Sequence, residues 1–409
     1  MNEPSDTSSH YDLVLVIGFF KRISAYLPII KYLSTKYKIG LLTIPLPDEA
    51  INKNGAMQGV FLELCISLGA ELIEENAVVV SKLALLSQEN YTYEALEKLK
   101  SNLKCGKYCA LMALAWGGRH REFIDIFDIQ DLFVIDRKFF EHCMVERGGK
   151  DSYIDKNIVE VGIPHMKYPI FDCFEIDYLI AIPTAWSFPT ESSKQQFLKG
   201  ALDLVRREKK GVRFYYKKHN SMEFDYFLNT ASRVLEKIIY FRFARLFNTL
   251  VSFFKTRLGI NFPGLGRSKL YTTFLHKELQ SKVKNLSDVT DYSELAFEAF
   301  LPSVNKAVVG GLSNTIWGTL YAKIPFLNLV DLESQKKERE NPEFAKTAKH
   351  QLKLTHNRAG KALEVNLDYL RVPYCDDVSY FDNELFNIVC DSESGDLVKE
   401  LSNRLERLT

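Results

Sequence analysis

Near its amino terminus the chain runs Tyr11-Asp12-Leu13-Val14-Leu15-Val16-Ile17-Gly18, an apolar, β-branched stretch that ends in glycine. A strand with one wet face would place a polar residue at every second position. This run has none after Asp12, so it reads as a strand covered on both faces, as in parallel sheets. A helix is predicted over 24–36, then a second strand through Lys38-Ile39-Gly40-Leu41-Leu42-Thr43-Ile44, which makes a βαβ unit. The rhythm continues with a helix over 53–69, a strand over 71–73, a helix over 91–103, and strands over 108–115, 132–135 and 158–161. The sequence therefore predicts a doubly wound α/β domain.

A chain of 409 residues is too long for one ordinary core and suits two. A second α/β domain is predicted to open with a strand over 177–183. A helix over 192–209, a strand over 212–216, a helix over 292–299, a strand over 306–309, a helix over 314–322 and a strand over 326–330 complete it. The expected boundaries are 1–170 for an acceptor-side Rossmann-like domain and 171–382 for a nucleotide-donor domain with an insertion at about 225–285. The connection over 163–176 contains Pro164 and Pro169, and 383–409 is expected to form two helices that cross back onto the first domain.

Composition narrows the function. Lys+Arg total 53 against 52 Asp+Glu, a balance that gives no reason to expect nucleic acid as a partner. The seven cysteines (Cys65, Cys105, Cys109, Cys143, Cys173, Cys375 and Cys390) contain no Cys-x-x-Cys pair. Cys105 and Cys109 are spaced for one helix face or a loop, without two further ligands for zinc, so idle thiols of a reducing compartment are expected. The polar, acidic first ten residues lack the features of a signal peptide, and apolar runs such as 13–20 are too short to span a bilayer. A cytoplasmic protein, peripheral to the inner face of a membrane, is the expectation. The membrane surface enters through 233–270, where Arg233, Lys237, Arg242, Arg245, Lys255, Arg257, Arg267 and Lys269 alternate with Phe, Ile and Leu against the single acid Glu236. Such a segment suits anionic lipid; equally, it suits a helical insertion packed on its own domain with its basic stems snorkelling outward.

Two segments carry the chemistry. Lys306-Ala307-Val308-Val309-Gly310-Gly311-Leu312-Ser313-Asn314-Thr315 is a strand that ends in glycines and leads into a helix. Glycine lets the backbone approach a ligand, and hydroxyls at a helix amino terminus add donors to its free N–H groups and positive dipole end; the alternative is an ordinary helix cap. Val212-Arg213-Phe214-Tyr215-Tyr216-Lys217-Lys218-His219-Asn220 delivers lysines and a histidine to the carboxyl end of a strand, where open α/β sheets bind ligands. Lys218 would neutralise a phosphate and His219 would donate to or protonate a departing one, unless the histidine is structural. In the first domain, Gly18-Phe19-Phe20-Lys21-Arg22 and Trp116-Gly117-Gly118-Arg119-His120 offer N–H groups and cations to an anion, or serve only as tight turns. Asp136, after the 132–135 strand, is the candidate general base; an ion pair with Arg137 or a helix cap is its other reading. No Walker loop, G-x-G-x-x-G, G-x-S-x-G, H-E-x-x-H or Asp-x-Asp motif is present, so no metal and no cofactor is expected.

The order Val161-Gly162-Ile163-Pro164-His165-Met166, Ile182-Pro183-Thr184-Ala185-Trp186, the strand ending in His219, and Ser313-Asn314-Thr315 through Asp331-Leu332-Glu333 resembles a known group. It is similar to GT-B transferases that use cytidine-activated donors: bacterial sialyltransferases, related ulosonic-acid transferases and CDP-glycerol glycerophosphotransferases. The resemblance spans about 158–333. It implies that Lys218, Gly310, Gly311, Ser313, Asn314 and Thr315 hold the donor phosphate, where the families use His-Pro and Ser-Ser or Ser-Thr motifs. This chain has Asn220 in place of the proline and Asn314 in place of the second serine. The ribose-binding Glu of UDP-sugar enzymes is missing from 316–323, which points to a cytidine donor. The implied reaction moves sialic acid or another keto-acid sugar from a CMP-linked donor to a glycan or lipid-linked glycan. The same resemblance leaves open a CDP-polyol phosphotransferase and a non-catalytic polysaccharide-assembly protein.

Overall fold

Leu13 to Ile17 are all 1% exposed or less, because β1 (Ser9–Ile17) lies inside a seven-stranded sheet. In this computed structural model the described residues are 9–18, 23–44, 55–74, 76–87, 92–112, 120–135, 137, 140–141, 153, 155–171, 174–182, 191–218, 267–290, 295–310, 315, 318–319, 322–329 and 395–408. The first sheet also contains β2 (Ile39–Thr43), β3 (Ala70–Ile73), β4 (Val79–Ser87), β5 (Leu103–Leu111), β6 (Asp131–Val134) and β7 (Asn157–Glu160). Its order is β3-β2-β1-β4-β5-β6-β7, with every pairing parallel. The helices α1 (Ile23–Leu33), α2 (Gly55–Ser67), α3 (Tyr93–Asn102) and α4 (His120–Ile126) connect these strands.

β4 is absent from the sequence reading, although it pairs with both β1 and β5. Ser81 and Lys82 interrupt its apolar run and hide it. The fold absorbs both: Ser81 Oγ donates to the Leu83 carbonyl at 2.7 Å, and Lys82 Nζ pairs with Asp12 at 2.8 Å. Cys105 and Cys109 lie on β5, which corrects the helix-face or loop expectation; alternation on a strand puts residues four apart on one face. With Cys65 they are free thiols, and burial pushes Cys65 and Cys109 up to about 12 and Cys105 to about 11.

A short helix, α5 (Pro164–Lys167), leads into the second sheet, built from β8 (Ile176–Ile182), β9 (Phe214–Lys218), β10 (Lys284–Asn285), β11 (Val304–Gly310) and β12 (Phe326–Asn328). Its order is β10-β9-β8-β11-β12, again all parallel. Two parallel α/β sheets thus follow one another along the chain, each with a Rossmann-like strand order. The helices α6 (Glu191–Arg207) and α7 (Arg267–Lys282) pack on each other through Arg206–Glu278 at 2.7 Å and Gln195–Thr272 at 3.2 Å. The part of the expected insertion from 267 to 285 is therefore a layer of this domain, with Leu275 and Leu279 buried. Residues 219–266, including most of the basic-aromatic segment, lie outside the described residues.

The helix expected over 292–299 is corrected to a 3₁₀ helix, Phe297–Ser303; Pro302 inside it has no N–H for an α-helical bond. The final helix, α8 (Leu397–Arg407), buries Leu397, Val398, Leu401 and Leu405 and touches the turn after α1 through Tyr37–Ser402 at 3.4 Å and Lys36–Glu406 at 2.6 Å. No helix among the described residues is long and apolar enough to cross a membrane, and no group of three His, Cys, Asp or Glu among them could hold a metal ion.

Candidate functional site

Each sheet has one place where the strand order reverses, and that place opens a crevice beyond the carboxyl ends of the strands. In the second sheet the reversal lies between β8 and β11, whose last residues are Ile182 and Gly310. Gly310 is a glycine for packing reasons. A Cβ there would meet the Phe326 ring at 2.9 Å and sit 3.7 Å from Thr315 Oγ1. The backbone is held by the Leu329 N–H, which donates to the Gly310 carbonyl at 3.0 Å. Thr315, Gly318 and Thr319 have helical backbone, and Thr319 Oγ1 donates to the Thr315 carbonyl at 2.6 Å, which ties the turn down. Gly310 and Thr315 thus come together at the crevice; Gly311, Ser313 and Asn314 lie outside the described residues.

β9 ends in Lys217 and Lys218 next to β8, one strand from the reversal. Lys217, which sequence reasoning passed over, is buried, with Nζ 5.6 Å from the centre of the Phe300 ring; the Lys218 side chain lies outside the described residues. Phe300 in turn stacks on Phe171 of the inter-domain connection, with centroids 5.5 Å apart. His219 lies outside the described residues.

In the first sheet the reversal lies between β1 and β4, which end at Ile17 and Ser87. Gly18 is buried directly after β1. Tyr26 of α1 spans the base of this crevice: its hydroxyl reaches the Val16 carbonyl at 3.1 Å and the Leu85 carbonyl at 3.3 Å. Ser87, which sequence reasoning missed along with β4, is buried and approaches the Val16 carbonyl at 3.4 Å. Ser24, in the first turn of α1, has Oγ 3.4 Å from Nε2 of His165 on α5. Burial pushes the His165 imidazole down to about 4, against a smaller upward effect of hydrogen bonding to the Ser24 backbone, so the ring is neutral at pH 7.

Lys21, Arg22, Gly117, Gly118, Arg119 and Asp136 lie outside the described residues, and His120 opens α4. Asp136 follows β6, which β5 separates from β4. At the usual strand spacing that exit is roughly 10 Å from the end of β4.

No family model matches the chain, and no curated protein matches it in sequence. Among solved structures it is similar to the Listeria monocytogenes protein assigned as a UDP-N-acetylglucosamine 2-epimerase, with 10% identity and a TM-score of 0.42 over 98% of this chain and 96% of the other. A glycosyltransferase from Rickettsia africae aligns with 10% identity and a TM-score of 0.38, covering 98% of this chain and 99% of the other. The S. aureus MnaA–UDP co-structure gives the same identity and TM-score over 87% of this chain and 91% of its own. At these values the likeness transfers neither residues nor activity; the placement of the two crevices rests on this chain's own strand order.

Proposed function

We propose that this chain is a glycosyltransferase of GT-B type that moves sialic acid or another keto-acid sugar from a CMP-linked donor to a surface-glycan acceptor. The observation that supports it most is the carboxyl edge of the second sheet. β9 ends in two lysines immediately before His219, beside a crevice formed where Gly310 and Thr315 meet. Backbone N–H groups and hydroxyls after Gly310 would receive the donor phosphate together with Lys218, and the buried Lys217 adds positive charge to the same sheet edge. His219 would protonate or hydrogen-bond the departing CMP. The acceptor would enter against the first crevice, by Gly18, Lys21, Arg22 and 117–120, with Asp136 as base. No metal is assigned a part.

The first experiment is a thermal-shift panel of CMP, CDP, UDP, GDP and ADP, since a ligand of the native state raises its midpoint by mass action. Stabilisation by CMP or CDP alone is expected. A shift with UDP or GDP alone would overturn the cytidine donor, and no shift with any nucleotide would overturn the transferase reading. His219→Ala should lower turnover by about 10²- to 10⁴-fold at unchanged melting temperature; a fully active variant would remove His219 from the mechanism. Analysis of the product for a glycoside against a phosphodiester separates the sugar transferase from a CDP-polyol phosphotransferase.

We further propose that 233–270 holds the enzyme at an anionic membrane on the cytoplasmic side, near a lipid-linked acceptor. Replacing Arg242, Arg245, Lys255 and Arg257 together by Gln should weaken binding to phosphatidylserine vesicles by roughly 1,000-fold, at about 1 kcal/mol per basic residue. Unchanged vesicle binding would rule electrostatic docking out.

A further inference from the structure

The connection between the two sheets runs beside α1 and is fastened to it at two places. His165 Nε2 lies 3.4 Å from Ser24 Oγ at the start of the helix. Seven residues later Lys31 Nζ donates to the Pro169 carbonyl at 3.0 Å and the Ile170 carbonyl at 3.3 Å, and Tyr32 packs on Tyr168 with centroids 4.6 Å apart. Seven helical residues span about 10 Å, so 165–170 is pinned along a rigid rod. That rod begins where the chain leaves the first crevice: Gly18 ends the strand side, and Ser24 stands in the first turn of α1.

His165 is 2% exposed, and no described residue offers its Nδ1 a hydrogen-bond partner. A buried ring nitrogen without a partner destabilises a fold, whereas an apolar side chain of similar size would not. Packing alone would therefore be better served by leucine. The imidazole contributes the contact to Ser24, which joins the domain connection to the first turn of α1.

We propose that His165 is a positioning residue: from the connection between the domains it sets the start of α1, so that a change in inter-domain angle reaches Ser24 and the first turn of that helix beside the first crevice. This rests on reading the first crevice as one half of a two-domain transferase site.

Hydrogen exchange on the full chain tests it, with wild type, His165→Leu, His165→Gln and Ser24→Ala compared. In His165→Leu, exchange of peptides covering 18–26 should rise by about two- to tenfold, the range for one neutral hydrogen bond, with an unchanged or raised melting temperature. His165→Gln can still reach Ser24 and should restore most of the protection. Ser24→Ala leaves the connection untouched and should loosen the same peptides; if His165→Leu does not fold, this variant decides. Whichever nucleotide stabilises wild type should protect 18–26 there and fail to do so in His165→Leu. Unaltered exchange at 18–26 in a folded His165→Leu, or in Ser24→Ala, would overturn the proposal. So would exchange that rises across the whole first sheet together with a lowered melting temperature, the signature of a core residue. A wild type that no nucleotide stabilises would sink the transferase reading, while the comparison of unliganded variants would still judge His165.

Discussion

Asp131 shows how a buried charge serves this fold. The carboxylate is 4% exposed and accepts from Lys107 Nζ at 2.6 Å, Asn157 Nδ2 at 2.7 Å and Arg404 Nε at 3.2 Å. Arg404 also lies over the Phe133 ring, 4.8 Å from its centre. Burial by itself would raise the Asp131 carboxyl; the hydrogen bonds from Lys107, Asn157 and Arg404 outweigh it and hold the group below its ordinary range. Removing the acid leaves the mostly buried Arg404 without this partner, so Asp131→Ala should cost about 3 kcal/mol in urea denaturation at pH 7. Because the folded value is depressed, the stabilisation is complete above the unfolded pKa of about 3.9 and is lost as pH falls through the lower folded value. The gap between wild type and Asp131→Asn should therefore narrow below about pH 4. Equal stabilities at pH 7 would show that the cluster contributes nothing net. The residue is invisible as a structural anchor in the sequence, since its partners are up to 273 positions away.

Among the elements, β4 and α8 depart furthest from what patterning alone reveals. Polar residues inside β4 mask a strand whose position between β1 and β5 opens the first crevice. Its omission also removed Ser87 from view and made β5 look like the fourth strand. α8 carries a clear apolar stripe, Leu397, Val398, Leu401 and Leu405, with Asp396 capping it by accepting from the Lys399 N–H at 3.0 Å. Helical spacing shows that such a stripe must be covered, but not by what. Here the cover is the first sheet and α1, far away in sequence. Leu401 is fully buried in that contact, so Leu401→Ala should destabilise the first domain by about 2–5 kcal/mol, read as an earlier urea transition. A change under half a kcal/mol would mean that α8 is dispensable to the domain it covers.

At the scale of the molecule, the start of α8 meets the connection between the two sheets. Gly395 runs so close to β7 that a Cβ would fall 1.8 Å from the Glu160 carbonyl oxygen. One residue on, Asp396 accepts from the Tyr168 hydroxyl at 2.8 Å. Burial and Asp396 push the Tyr168 phenol up to about 12, so it stays protonated as the donor at neutral pH. This bond ties the connection to α8, and losing it should cost about 1 kcal/mol. Tyr168→Phe should leave both sheets folded and broaden the inter-domain distance distribution, measured between one spin label in each domain. An unchanged distribution would show that the Gly395 contact and Lys31 suffice.

What the sequence determined by itself was the repeating strand–helix order, two successive parallel sheets, and glycines and cations at strand ends. These follow from local periodicity and from backbone conformational freedom, both written into neighbouring residues. Gly18, Gly310 and the lysines ending β9 were legible for that reason. Only the tertiary structure decided which strands flank the reversals, that Lys217 is buried, that 267–285 is a domain layer, and that His165 and Asp396 attach the connection. Those outcomes depend on pairing and packing between residues distant in sequence, where hydrophobic burial is non-directional and carries no address for its partner.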